Sequence, residues 1–200
     1  MEQKTEILPY FPLSVFLFPG EDIPLRIFEP RYRQLIEDVR TTGVTFGIPF
    51  VLDREIKKFG CEVRLKEIVA ENPGGRMVII VESVALIQIL NFSRQIEGKL
   101  YAGGEVRRLP CSDPVESQEL KRLIKSYKDS FDKDFLSCCS QNEITHQDIM
   151  KALNLTSDDK YSFVCMPDGV HKEDYLIGQL RYLKLIRKQE TELGNDFGLN

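Results

Sequence analysis

The chain contains no tryptophan and only two histidines, His146 and His171, in 200 residues. Neither histidine stands in an H-E-x-x-H arrangement, which excludes the helical zinc-hydrolase pattern. No G-x-S-x-G or G-x-G-x-x-G occurs, and Gly98-Lys99 runs into Leu100 with Ser93 where a Walker loop needs glycine. Backbone nests for nucleotide phosphates are therefore missing. Cysteine is scarce and odd in number: Cys61, Cys111, Cys138, Cys139 and Cys165 form no C-x-x-C pair, and the adjacent Cys138 and Cys139 could bridge each other only with strain. That spacing speaks against a secreted disulfide framework and for a reducing, cytoplasmic compartment. Charge of one sign is lacking too, with Lys+Arg 27 against Asp+Glu 31 and a net charge of −4, which disfavours nucleic-acid binding by phosphate neutralisation. The longest apolar stretch, Ile7 to Phe18, is too short to cross a bilayer. Pro9 and Pro12 interrupt it, two acids precede it, and no small-residue cleavage site follows, so it reads as a buried strand and not as a signal peptide or membrane anchor.

What is present is a hydrophobic fraction of 42% beside 29% charged residues, the composition of an ordered, compact protein. Strand character dominates the first half, which holds every proline except Pro114 and Pro167. After the opening strand come a turn at Phe18–Asp22 and an extended piece from Ile23 to Phe28. Pro30 suits the first position of a helix, where its missing N–H costs nothing. Tyr32, Leu35, Ile36 and Val39 then form one apolar stripe, and Gly43 is a natural end. Val44 to Leu52 reads as a buried strand. Cys61, Val63, Leu65 and Ile68 alternate with charged residues up to a turn at Asn72–Gly75, with Met77 to Val81 as the return strand. Val84 to Leu90 and Leu100 to Leu109 are two further strands. Five or six short strands with one early helix suggest a small closed or nearly closed barrel over 1–110.

From 111 to 200 the period becomes helical: an amphipathic helix within 114–136, a short one over Asp148 to Leu155 with Thr145 near its N-cap, and the longest from Lys172 to about Glu192, followed by a frayed tail. The fold class expected is thus α+β, a β-rich half followed by a helical half.

Chemistry-bearing clusters are few. Cys138, Cys139 and His146 could be written as a partial metal site, but a thiol or helix-terminus role fits them better. His171, beside Glu173 and Asp174, belongs to the N-terminal turn of the last helix, where acids suit the dipole. Arg181, Lys184, Arg187 and Lys188 read as a solvated face near a helix C-terminus. Neither a catalytic group, a metal site nor a cofactor is expected. The densest unusual cluster is Pro24 to Arg33, at a strand-to-helix junction. In one reading Glu29 pairs with an arginine to hold the junction while Phe28 and Tyr32 enter the core. In the other, Arg26, Phe28, Glu29, Arg31 and Tyr32 line a binding groove.

The stretch LPYFPLSVFLFPGEDIPLRIFEPRYRQLIED (Leu8–Asp38) resembles the opening of the Lon N-terminal domain, the substrate-recognition module of the ATP-dependent Lon protease. Phe46-Gly47-Ile48, Phe59-Gly60-Cys61 leading into VRLKEI, Gly75 to Ile80, and Tyr101 to Val106 follow in that family's order. The resemblance covers about 7–110 by motif and 114–192 more loosely. It implies a PUA-like six-stranded β-barrel followed by a C-terminal helical bundle. It also implies a non-catalytic role in binding unfolded or extended polypeptide segments, as an adaptor or holdase beside a separate protease. The ATPase and Ser–Lys protease domains of the full enzyme have no counterpart here, so proteolysis by this polypeptide alone is not expected. Glu82 to Ile87 stand where relatives carry a glycine and an aromatic-arginine pattern, so a binding surface on that strand does not transfer residue by residue. The alternative is a small ligand or modified base held in the mouth of a PUA-like barrel, a reading by fold analogy. No nucleic-acid or membrane partner is expected, and the sequence leaves the oligomeric state open.

Overall fold

The computed structural model of the chain describes residues 5–110, 113–131, 135–136 and 144–197, the side chains of 191–197 excepted. In chain order the elements are β1 (Thr5–Tyr10), β2 (Asp22–Ile27), α1 (Pro30–Thr42), β3 (Phe46–Leu52), β4 (Glu55–Glu71), β5 (Met77–Ile89), β6 (Ala102–Arg108), α2 (Gln118–Ser130), α3 (His146–Ala152), α4 (Ser157–Val164) and α5 (Gly169–Phe197). They fall into two compact units, Met1–Cys111 with Ser157–Tyr161, and Ser112–Thr156 with Ser162–Asn200.

The first unit is built on a six-stranded sheet in the order β2-β5-β4-β3-β1-β6, and β6 also pairs with β5. The pairings of β5, β4, β3, β1 and β6 therefore return on themselves, with β2 outside that circuit, on the edge of β5. The Val63–Leu65–Ile68 spacing departs from strict alternation because register shifts lie between Leu65 and Glu67 and between Ile68 and Ala70. Such bulges twist a long strand and re-aim its side chains. A correction concerns the return strand: Met77–Ile89 is one continuous element, not two. The polar pair Glu82-Ser83 does not interrupt it. Ser83 is buried, its carbonyl accepts from Gly20 N–H at 2.7 Å, and its N–H donates to Glu21 at 2.9 Å.

Helix α1 lays its stripe, Tyr32, Leu35, Ile36 and Val39, into a core with Phe11, Leu25, Ile27, Phe46, Ile48, Val63 and Ile79. It stops at Gly43, whose φ of +71° is the left-handed cap that glycine adopts without a Cβ penalty. Asp38 on α1 accepts from Lys99 Nζ at 2.8 Å and Tyr101 Oη at 2.7 Å, tying the helix to the approach of β6. Those two hydrogen bonds hold the Asp38 carboxyl below its ordinary range. A second network crosses the sheet: the carboxylate of Glu62 on β4 is buried and accepts from Arg108 Nε at 2.6 Å and its terminal nitrogen at 2.8 Å, and Arg108 reaches Glu6 on β1 at 2.9 Å.

Helix α4 is not anticipated by the sequence reading. Its first residues serve the first unit: Ser157 Oγ accepts from Phe16 N–H at 3.0 Å, Lys160 Nζ donates to both Glu21 oxygens at 2.7 and 2.8 Å, and the Tyr161 ring lies 5.7 Å from Phe16 and 5.1 Å from Phe50.

In the second unit α2 and α3 pack on α5, burying Leu120, Ile124 and Tyr127 of α2, Ile149 and Met150 of α3, and Leu176, Ile177 and Leu180 of α5. Helix α2 begins with the Ser117 side chain accepting from Leu120 N–H, and α3 with a Thr145–Asp148 capping box. Helix α5 starts at Gly169, three residues before the expected Lys172, because Asp168 Oδ1 accepts from His171 N–H at 3.0 Å and provides the cap. The basic residues of α5 are engaged within this unit: Arg181 pairs with Glu119, Lys184 donates to Ser126 Oγ at 2.7 Å, and Arg187 meets Glu190 at 3.1 Å. Among the described residues no helix is long and apolar enough to cross a membrane.

Candidate functional site

The junction singled out in the sequence divides its residues between two jobs. Along β2 the side chains of Leu25 and Ile27 turn inward while Arg26 stays exposed, a period of two. Phe28 continues on the outside and is 63% exposed. Glu29 ends the extended segment at φ −72° and ψ 138° as the N-cap of α1, with no side-chain cap. Its carboxylate instead takes Arg31 at 2.8–2.9 Å, an exposed pair worth about 0.2–1 kcal/mol. The Arg31 guanidinium in turn lies 4.5 Å over the ring of Tyr32. Tyr32 is buried and stacks on Phe11 at 3.8 Å between centroids, where burial raises its hydroxyl pKa against the opposing charge of Arg31. The two aromatics thus go opposite ways, Tyr32 into the core and Phe28 out to the surface.

Arg26 and Phe28 meet residues far along the chain. They line a cleft of about 490 Å³ with Ile27, the end of β4 (Ala70, Glu71, Asn72) and the start of β5 (Arg76, Met77, Val78). The register explains the gathering: Arg26 pairs with Val78 across β2–β5, and Val78 with Ala70 across β5–β4, so the three form one row. The connecting turn is held by Asn72, whose Oδ1 accepts from Arg76 N–H at 3.0 Å and whose carbonyl accepts from Gly75 N–H at 2.8 Å. Gly75 sits at φ +70° directly over Arg33, so that a Cβ there would come within 2.2 Å of the guanidinium. Glu71 is met by Arg40 at 3.4 Å, whereas Arg26 and Arg76 take part in no ion pair among the described residues. The result is an apolar surface of Phe28, Ala70 and Val78, backed by the buried Ile27 and Met77, with Arg26 and Arg76 at its margin, unpaired among the described residues.

The lining holds no hydroxyl, thiol or imidazole, and its ionisable groups are Arg26, Glu71 and Arg76. A wider hollow of about 600 Å³ at β1 and β6 is lined by Glu6, Glu97 and Glu105 with amides, and has a less apolar wall. The Cys61 thiol lies inside the core, where burial raises its pKa to about 12 and keeps it a neutral, unreactive thiol. Cys138 and Cys139 fall outside the described residues. Their suggested partner His146 is buried and directs Nε2 to Glu173 at 3.1 Å. Glu173 also accepts from the Glu116 and Ser117 N–H groups at 2.6 and 2.9 Å, which makes it a cap for the start of α2. Among the described residues no three His, Cys, Asp or Glu side chains gather as a metal site.

The model of the ATP-dependent protease La (LON) substrate-binding domain matches residues 7–192. The chain belongs to this family. Its fold is also that of a Lon N-terminal domain protein from Xanthomonas campestris, at a TM-score of 0.65 and 24% identity over 86% of this chain and 98% of that one. The N-terminal domain of a Mycobacterium avium complex Lon protease aligns at 0.60 and 16% identity, over 88% and 98%. No curated protein matches the chain. In this chain the cleft at the end of the β4–β5 hairpin combines a long strand pair with Phe28, the first residue of the FEPRYR segment. Ala70, Arg76, Met77 and Val78 carry no mark in the sequence as site residues. Only the pairing of β2 with β5, across some fifty residues of chain, brings them to Phe28.

Proposed function

We propose that the chain is a non-catalytic polypeptide-recognition module, an adaptor or holdase for unfolded or extended segments, acting beside a separate protease. In this reading the circuit of strands is the PUA-like barrel and the second unit the helical bundle of a Lon substrate-binding domain. The observation that carries it is Phe28: a large aromatic, 63% exposed, fixed at a strand end beside an aliphatic surface. An exposed aromatic continuous with Ala70 and Val78 and rimmed by polar residues is the surface that an extended apolar segment would cover. Arg26 takes its place at the margin. Glu29 and Arg31 hold the junction, and Tyr32 anchors it from the core.

The test is light scattering by a chemically unfolded client, without ATP, in the presence of the intact protein or the Phe28→Asp variant. Wild type suppresses aggregation in a dose-dependent way. The variant loses most of that effect at an unchanged melting temperature, because Phe28 contributes little to the core. No suppression by wild type at several-fold excess overturns the reading. Equal losses of suppression and stability would move Phe28 into the core and remove it from the site.

A further inference from the structure

Two features of the cleft say more about what it receives. The first is charge. The protein carries a net −4, and six of its thirteen arginines are engaged by carboxylates among the described residues. Arg26 and Arg76 are not, and both border the same apolar surface. The one carboxylate in the lining, Glu71, is already met by Arg40 at 3.4 Å. The margin is therefore positive on an acidic protein, and a segment bringing its own carboxylates would complete it.

The second is the edge of the sheet. β2 pairs with β5 on one side and with no strand on the other among the described residues. The Ser83 N–H donates to the Glu21 carbonyl at 2.9 Å, so that carbonyl points toward β5 and the Asp22 N–H, across the same trans peptide, points away. N–H and C=O of one residue in an antiparallel ladder point the same way and alternate along the strand. Ile23, Leu25 and Ile27 consequently face β5, while Asp22, Pro24 and Arg26 face outward. Pro24 offers no N–H, which blocks a long added strand, a common device for protecting an edge. Beyond it the Pro24 carbonyl, both groups of Arg26 and the N–H of Phe28 have no hydrogen-bond partner among the described residues, directly beside the cleft.

We propose that this short open edge from Arg26 to Phe28 pairs with an extended polypeptide segment that presents an apolar residue and Asp or Glu two positions apart, on one face. The main chain joins β2 as an added strand, an apolar side chain covers Phe28, and carboxylates two residues along, on the same face, meet Arg26 and Arg76. The proposal rests on the polypeptide-recognition reading and adds to it the chemistry and the backbone conformation of the segment.

Fluorescence anisotropy on the full chain tests it with three labelled nonapeptides in which threonine fills every second position: one with glutamate and leucine taking turns at the positions between, its counterpart with lysine in place of glutamate, and the glutamate peptide N-methylated at its three central amides. The glutamate peptide should bind about tenfold more tightly than the lysine peptide at low salt, as two surface ion pairs allow. That preference should invert in the double variant Arg26→Glu, Arg76→Glu, whose exposed positions leave the melting temperature unchanged. N-methylation should weaken binding severalfold by removing main-chain donors. Equal binding of the two charged peptides, or a preference indifferent to the double variant, overturns the charge selection. An N-methylated peptide that binds as well as its parent overturns the edge pairing. If either fails while wild type still suppresses client aggregation, polypeptide recognition stands and this assignment falls. If no peptide binds and clients still aggregate, both fall together.

Discussion

Replacing Arg108 by alanine strands a carboxylate. The Glu62 side chain is 1% exposed, and its oxygens are held by the Arg108 guanidinium and the Thr45 hydroxyl. Breaking a fully buried pair by removing one partner costs about 3–5 kcal/mol. The Arg108 side chain is itself 49% exposed, so water can enter where it stood, and Thr45 remains as a donor. The expected cost of Arg108→Ala is accordingly about 2 kcal/mol. That corresponds to a melting point lower by about 4–8 °C for a chain of this size. The pH dependence is the sharper readout. In the wild type, burial alone would raise the Glu62 pKa, but the hydrogen bonds from Arg108 and Thr45 outweigh it and hold the value below the ordinary 4.5. The stability this group contributes is therefore present above pH 4.5 and lost as pH falls through the lower native value. In the variant burial dominates, the native pKa moves above the unfolded one, and acid should then relieve the strain instead of adding to it. Urea unfolding of both proteins between about pH 4 and 7 measures this, with the midpoint difference narrowing toward the acid end. A constant difference across that range would refute the account of Glu62 as a buried, charged group dependent on Arg108.

Gly75→Ala should destabilise the first unit by about 1–3 kcal/mol, since it places a side chain at φ +70° over the Arg33 guanidinium; a thermal melt checks it, and an unchanged midpoint would show that the turn simply relaxes. Glu173→Ala should cost the second unit about 1–3 kcal/mol by uncapping the Glu116 and Ser117 N–H groups, read by helix loss on denaturant titration. Burial alone would raise the Glu173 pKa, but these N–H groups and His146 hold it below 4.5, so its contribution is likewise present above pH 4.5 and disappears as pH falls through the lowered native value. Maleimide labelling with peptide mapping at pH 8 should modify the exposed Cys165 and spare Cys61 until the protein is denatured.

What could be read from the sequence was local. Helix α1 declares itself through Pro30, a stripe of four apolar residues and a terminal glycine, and the structure places its ends at Pro30 and Thr42. The same stripe already assigned Tyr32 to the core, and that periodicity outweighed its membership of a promising surface cluster. Helix α4 carries Tyr161 and Phe163 two residues apart, on opposite sides of the helix, so no apolar stripe announces it, and its start is held by Phe16 and Glu21, some 140 residues earlier. The cleft shows the same division. Arg26 and Phe28 stood out by composition, but their neighbours Arg76, Met77 and Val78 depend on which strand pairs with β2. Alternation assigns a face to each side chain and says nothing of which strand lies next to which.

The return of Ser157–Tyr161 to the first unit has a consequence for how the protein is made. A chain emerging from its N-terminus presents all six strands long before residue 157, with Phe16 and Phe50 lacking the Tyr161 ring and Glu21 lacking its ammonium partner. The first unit thus closes only once residue 161 has been made. A fragment ending near residue 111, although it holds the whole sheet, is left as a partly assembled intermediate exposing an aromatic seam to its neighbours.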